Sequence, residues 1–155
     1  MAASCTATIK IMEILTGNKY HKAVAAAIGS AERQIKIVMF KWRETAPGSH
    51  GDIDSVNRTL RAALGRGRSV QAIVNDDATA RYLKTLGAKV KRTRAKKLIH
   101  AKMIICDDAV AFVGSHNLTE NAARANLEIS LKLTEPEACA ELSKVFDKWW
   151  ENEVE

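Results

Sequence analysis

The sequence predicts an α/β fold: a mixed, largely parallel β-sheet flanked by helices. Three observations carry that expectation. Short β-branched, apolar runs alternate with segments of helical period, the pattern of strands connected by helical crossovers. Two apolar runs between Leu98 and Asn117 are split by Asp107-Asp108 and read as neighbouring strands joined by a tight turn. The chain has 155 residues, 46% of them hydrophobic and 27% charged, which suits one domain, residues 1–155, with a core that needs no staples.

Taken in order, Thr6–Leu15 mixes Thr and Ile with some alternation and reads as a first strand at an edge, broken by Gly17-Asn18. Lys19–Ile28 is Ala-rich with Val24 and Ile28 four apart, so a helix is expected, closing at Gly29-Ser30 or running on to Arg33. Gln34–Trp42 is β-branched and apolar, as an inner strand is. Arg43–Asp52 holds Pro47 and two glycines and reads as a loop carrying His50. Ile53, Val56, Leu60, Ala63 and Leu64 then recur at helical spacing, with Asp52 placed to cap the helix and Gly65 to end it. Ser69–Asn75 reads as another inner strand, Asp76–Leu86 as a short helix, and Ala88–Arg94 as a strand. Beyond the paired runs, Leu118–Arg124 reads as a short helix or turn and Asn126–Thr134 as a strand. Glu135-Pro136-Glu137 opens a final helix, with proline where its missing N–H costs little. Ala138, Leu142, Val145, Phe146 and Trp149 mark the buried stripe of that helix.

The polar residues of the paired runs are His100, Lys102, Asp107, Ser115 and Asn117. On a strand, residues two apart share a face. His100 and Lys102 are therefore expected side by side, and a hairpin about Asp107-Asp108 brings Ser115 and Asn117 toward the same patch. A nucleophile or base, a fixed cation and two hydrogen-bonding groups form a phosphate-handling set. The spacing His100-x-Lys102-x4-Asp107-x6-Gly114-Ser115-x-Asn117 resembles the HKD motif of the phospholipase D superfamily, and Asn126-x-Glu128 resembles the element that follows it. In length and element order the chain is similar to the small single-motif bacterial endonucleases of that superfamily.

The resemblance implies a phospholipase D-like fold and a phosphodiesterase. His100 then attacks phosphorus as neutral imidazole. Lys102 and Asn117 hold the phosphate oxygens where charge develops, and Ser115 adds a hydrogen bond. Glu128 accepts the other ring N–H of a histidine and so fixes its tautomer. Asp107 opens the turn, where bracing the hairpin and touching substrate are equal alternatives, and His116 alternates to the opposite side. One histidine does not serve as both nucleophile and acid for the same leaving group. Superfamily members use two HKD motifs, whereas His21, His50 and His116 lack the HxK context here. The implication is a homodimer with His100 of each subunit across a shared pocket. By the same resemblance neither metal nor other cofactor is needed, since lysine takes over the electrostatic role.

The net charge of +6 favours polyanionic partners. The densest basic run, Lys89, Lys91, Arg92, Arg94, Lys96 and Lys97, arrives directly at His100 and is expected to contact nucleic-acid phosphates. Arg58, Arg61, Arg66 and Arg68 form a second basic cluster, either a phosphate grip or a solvated face. Cys5, Cys106 and Cys139 are odd in number and widely spaced, so neither a disulfide framework nor a zinc site is expected, and reduced thiols fit the cytoplasm. The first residues lack the pattern of a signal peptide and no run approaches a membrane span, so stable membrane insertion is not expected. The leading expectation is a metal-independent nuclease acting on DNA or RNA. The alternatives are a phospholipase D-type lipid phosphodiesterase and a non-catalytic nucleic-acid-binding domain.

Overall fold

The computed structural model describes residues 11–46, 48–93 and 97–155. The elements are β1 (Met12–Thr16), α1 (Asn18–Ser30), β2 (Gln34–Met39), α2 (Asp52–Gly65), β3 (Ser69–Val74), α3 (Asp77–Thr85), β4 (Lys89–Arg92), β5 (Lys102–Cys106), β6 (Val110–Gly114), α4 (Glu120–Arg124), β7 (Ile129–Leu133) and α5 (Pro136–Asn152). Among the described residues, the strands form one seven-stranded sheet in the order β1-β7-β6-β5-β2-β3-β4.

The mixed α/β layering is the expected one, but the balance of strand directions differs. Among the described strands, parallel pairing is confined to β2-β3 and β3-β4, with one isolated parallel bridge between Trp42 and Leu118. The pairs β1-β7, β2-β5, β5-β6 and β6-β7 are antiparallel. Connection length explains the split. Helices α2 and α3 carry the chain back across the sheet so that β3 and β4 run with β2, whereas a tight turn reverses β5 into β6.

Local chemistry sets the element ends. Helix α1 stops at Ser30, and the first strand is Met12–Thr16; positions 6–10 of the expected strand lie outside the described residues. Asp52 is the first residue of α2 rather than a side-chain cap, and with Asp54 it places negative charge at the positive end of the helix dipole. The Asp76 carboxylate caps α3 by accepting the Thr79 N–H at 2.9 Å. Asp107 and Asp108 both adopt left-handed backbone, φ 56° and 57°, the conformation of a hairpin turn and one that Asp tolerates.

The core has two unequal layers. On one face α1, α2 and α3 bury Tyr20, Val24, Ile28, Ile53, Leu60 and Leu83 against Ile35, Ile37, Ala72, Ile104 and Phe112. On the other, α5 buries Cys139 and Phe146 against Val38, Ile73, Met103, Ile105 and Ala111. Each fully buried aliphatic side chain contributes about 1.5–3 kcal/mol. Trp149 and Trp150 pack at the border of this second cluster. Cys106 and Cys139 are buried free thiols, and burial pushes the Cys106 thiol up to about 12; Cys5 lies outside the described residues.

Helix α5 packs on β2, β5 and β6 and reaches Leu133 at the end of β7, while Met12, Ile14 and Ile129 on the same face stay exposed. The register aligns Met12 with Leu133, Ile14 with Leu131 and Thr16 with Ile129. Met12, Ile14 and Ile129 are exposed, Ile14 at 60%, so an apolar strip runs along this edge of the sheet. No helix among the described residues is long and apolar enough to cross a membrane.

Candidate active site

The site assembles where β5 begins and β6 ends. Lys102 pairs with Gly114 and Gly114 with Ser130, which draws Ser115 and Glu128 to the start of β5. Lys102 lies on the α1–α2 face with Ile104 and is 4% exposed. His100 stands just before the strand, in irregular backbone, and its ring is exposed. The two residues are thus linked differently from two neighbours on one strand face. The Lys102 ammonium donates to the His100 carbonyl at 2.7 Å. Phe40 is close to both side chains, its ring 5.6 Å from the imidazole and 5.3 Å from Nζ of Lys102. Burial lowers the Lys102 pKa and the negative charge of Glu128 raises it, with burial prevailing.

Ser115 donates its hydroxyl to the Glu128 carboxylate and accepts the Ile129 N–H at 3.1 Å. Asn126 donates its amide to the other Glu128 oxygen at 3.1 Å. Within the chain, then, Glu128 serves Ser115 and Asn126, a different partner set from the histidine expected. Asn117 accepts the backbone N–H of Lys41 on its side-chain oxygen at 3.1 Å, which turns the amide nitrogen of Asn117 toward other partners. Lys41 and Asn117 line one cavity of about 570 Å³. His100, Leu98, Lys97 and Trp149 line another of about 460 Å³.

Asp107 is set apart from these groups, at the opposite end of β5. Its carboxylate accepts backbone N–H from Glu32 at 2.7 Å and from Arg33 and Gln34 at 2.9 Å. Burial alone would raise its pKa, but those three donors and the Arg33 charge together hold it below the usual carboxylate value. Asp107 therefore braces the hairpin against the start of β2, one of the two roles expected for it, and stands a strand length from His100 and Lys102. Asp108 continues the brace by accepting from Gln34 at 2.8 Å and from Ser143 of α5 at 2.6 Å.

Among the described residues, the basic run does not form a row of unengaged cations. Lys91 donates to the Trp150 carbonyl at 2.8 Å and sits over its indole, Arg92 pairs with Asp77, and Lys97 pairs with Glu153. Lys89 is exposed on β4, while Arg94 and Lys96 lie outside the described residues. In the second basic cluster, Arg58 pairs with Asp54, Arg66 donates to the Gly29 carbonyl, and Arg68 to the Ala31 carbonyl.

Gly114 is dictated by packing. A Cβ there would lie 2.5 Å from the Ile129 carbonyl oxygen and 2.5 Å from the Ser130 Cα, both backbone atoms. Gly114→Ala is expected to lower stability by about 1–3 kcal/mol and to displace Ser115 from Glu128. Denaturant melts and activity of the same preparation check both effects.

His116 faces away from Ser115, as alternation predicts, and is fully buried. It bonds Ser130 Oγ at 2.8 Å and stacks on Tyr20 with ring centroids 4.4 Å apart. Burial, aided by nearby His21, lowers its pKa to about 4 from the ordinary 6.5. The unfolded chain therefore binds more protons between those values, so stability rises with pH across that window and is lost as pH falls through it. His116→Phe, which keeps the stack, should flatten this part of the stability–pH curve in urea melts.

Phe40, Lys41, His21 and Ser130 shape the site but carry no linear signal. Phe40 and Lys41 close an apolar strand run, and the partners of His21 and Ser130 are distant in sequence. Among the described residues no group of three or more His, Cys, Asp or Glu side chains is placed to hold a metal ion.

With this geometry in place, the comparisons define the class. Residues 24–150 match the family model described as "Cardiolipin synthase, PLD-like domain". The chain belongs to this phospholipase D-like family. Its fold is similar to that of NucT from Helicobacter pylori, with a TM-score of 0.75 and 21% identity over 92% of this chain and 97% of that one. It is equally similar to Nuc from Salmonella typhimurium, described as a phospholipase D family member, with a TM-score of 0.74 and 22% identity over 93% and 97%. A phosphatidylserine synthase from Haemophilus influenzae matches with a TM-score of 0.73 and 12% identity over 93% of this chain and 38% of its own. No curated protein matches the chain in sequence.

Proposed function

We propose that the chain is a metal-independent phosphodiesterase that cleaves DNA or RNA through a phosphohistidine, at a site completed by a second copy. The observation that carries this reading is the ammonium of Lys102, buried beneath an exposed His100 at the end of the hairpin that also presents Ser115 and Asn117. A phosphodiester seated there meets a nucleophile in the open and fixed donors behind it. A ring nitrogen of one His100 forms the bond to phosphorus as the P–O bond to the leaving alcohol breaks. His100 of the second copy gives that alcohol its proton, then takes one from water as water displaces the first imidazole. The phosphate is released and both rings regain their starting protonation.

Two features support pairing of copies. One chain supplies one HxK motif, and the mechanism needs two imidazoles on opposite sides of phosphorus. The uncovered strip of Met12, Ile14 and Ile129 lies on the strands next to Ser115 and Glu128, where a self-complementary contact would unite the two sites. The net charge of +6 favours a nucleic-acid substrate. A lipid phosphodiesterase is the second reading, favoured by the family description and the phosphatidylserine synthase match. The test is incubation with single- and double-stranded DNA, RNA and phosphatidylcholine vesicles in EDTA, with solution mass measured across dilution. Nucleic-acid cleavage that falls as the dimer dissociates is expected. Turnover of lipid alone, dependence on added metal, or full activity as a monomer would overturn the reading.

A further inference from the structure

His21 has no place in the mechanism above, yet it is a fully buried polar side chain directly under the site. It lies on the first turns of α1, and its Nε2 is 3.2 Å from the backbone carbonyl oxygen of Asn117. A carbonyl only accepts, so this contact places a ring proton on Nε2. Nδ1 of His21, Nε2 of His116 and the Tyr20 hydroxyl are buried without a well-aligned hydrogen bond, while the Gly17 backbone carbonyl, close to both imidazoles, raises their pKa values. The three rings form one cluster: Tyr20 meets His21 edge-on at 5.3 Å and stacks on His116.

Unpartnered buried polar atoms cost about 1–3 kcal/mol each, so Phe would be the cheaper filler at position 21 if packing were the only task. The N–H to Asn117 is what Phe cannot supply. The Asn117 segment is held from the other side as well. Lys41 gives its N–H to the Asn117 side chain at 3.1 Å, Leu118 donates to the Lys41 carbonyl at 3.1 Å, and Arg43 donates to the Leu118 carbonyl at 2.9 Å.

We infer that His21 is a positioning residue: its Nε2–H anchors the Asn117 peptide from inside the core so that the Asn117 amide is presented to a phosphate oxygen. The inference rests on the phosphodiesterase reading, in which Asn117 holds that oxygen. His21 acts through Asn117 and does not touch substrate. Burial lowers its pKa against the opposing pull of the Asn117 and Gly17 carbonyls and of the Asp52 and Glu120 charges, which favours the neutral ring.

The experiment is hydrolysis of bis(4-nitrophenyl) phosphate by the wild type, His21→Phe, His21→Gln, Asn117→Ala and the double variant His21→Phe/Asn117→Ala, with thermal midpoints for each. His21→Phe should lose about tenfold in kcat, with KM changed less than about twofold and the midpoint held. His21→Gln, whose amide can donate to the same carbonyl, should recover most of the loss. In the Asn117→Ala background the His21→Phe change should cost nothing further, because the two act as a unit. Wild-type kcat in His21→Phe, or an equal loss in both backgrounds, would overturn the positioning role. So would ¹⁵N signals placing the ring proton on Nδ1. A wild type inert toward every phosphodiester is a different result, which removes the phosphodiesterase reading itself and with it the task assigned to His21.

Discussion

Under the proposed mechanism, replacing His100 with alanine is expected to lower phosphodiester turnover by about a thousandfold or more while the fold and the solution mass stay as in the wild type. The expectation follows from where the ring stands. It is exposed, and its side chain contributes a contact with Phe40 rather than core packing, so truncation is expected to shift stability by about 0.5 kcal/mol or less. The chemistry has no such tolerance. Among the four histidines, His21 and His116 are fully buried and His50 lies on the loop before α2, so none stands ready to replace the nucleophile. Rate measurements with the variant, beside its melting curve and solution mass, check both halves. Trapping of acid-labile phosphorus on nitrogen in the wild type and its loss in the variant check the intermediate. Near-normal turnover would remove His100 from the mechanism.

Lys102→Met is expected to separate activity from stability more sharply. The ammonium is buried, and burial disfavours its charge. A thioether of similar length has no charge to desolvate, so the variant should be as stable as the wild type or more so. Its kcat should nevertheless fall by about 10²–10³-fold, because it lacks the fixed positive charge that the proposed mechanism sets next to the reacting phosphate. The pH dependence has a definite sign. The folded pKa lies below the ordinary 10.5, so the unfolded chain binds more protons between the two values. Wild-type stability should therefore gain a rising contribution as pH climbs through that window, and Lys102→Met should lack it. Urea melts across alkaline pH, beside steady-state kinetics, read both outcomes. Phosphate affinity lost with the chemical rate intact would argue against a role in the transition state.

Much of the fold was legible because periodicity is a local property. The inner strands β2 and β3 were visible as β-branched runs, α2 as apolar residues three and four apart, and the β5–β6 hairpin as two such runs about Asp107-Asp108. Strand direction was less legible. Alternation of helices and strands suggested a parallel sheet, but direction depends on which strand a segment pairs with, and β5 lies antiparallel to β2 across a long sequence gap. The same limit applies to the site. His100, Lys102, Ser115 and Asn117 were found by spacing within one stretch, and the hairpin register brings that stretch together. Asp107 shares the stretch but lies one strand length away, because spacing alone does not say which end of a hairpin a residue occupies. Phe40 and His21 reach the site through tertiary contacts, and their neighbours in sequence give no hint of it.

The basic residues of β4 have a consequence apart from nucleic acid. This strand is only four residues long and ends the sheet opposite β1. Three of its four residues are cationic, and the last of them, Arg92, exchanges backbone hydrogen bonds with Glu155, from the segment after α5, at 2.8 and 2.9 Å. A short, charged and partly capped border is a poor template for accretion of another polypeptide. Polymerisation through that flank is thereby discouraged, and the pairing proposed above uses the greasy margin at the far side, a two-fold contact that closes at two molecules instead of growing into a fibre.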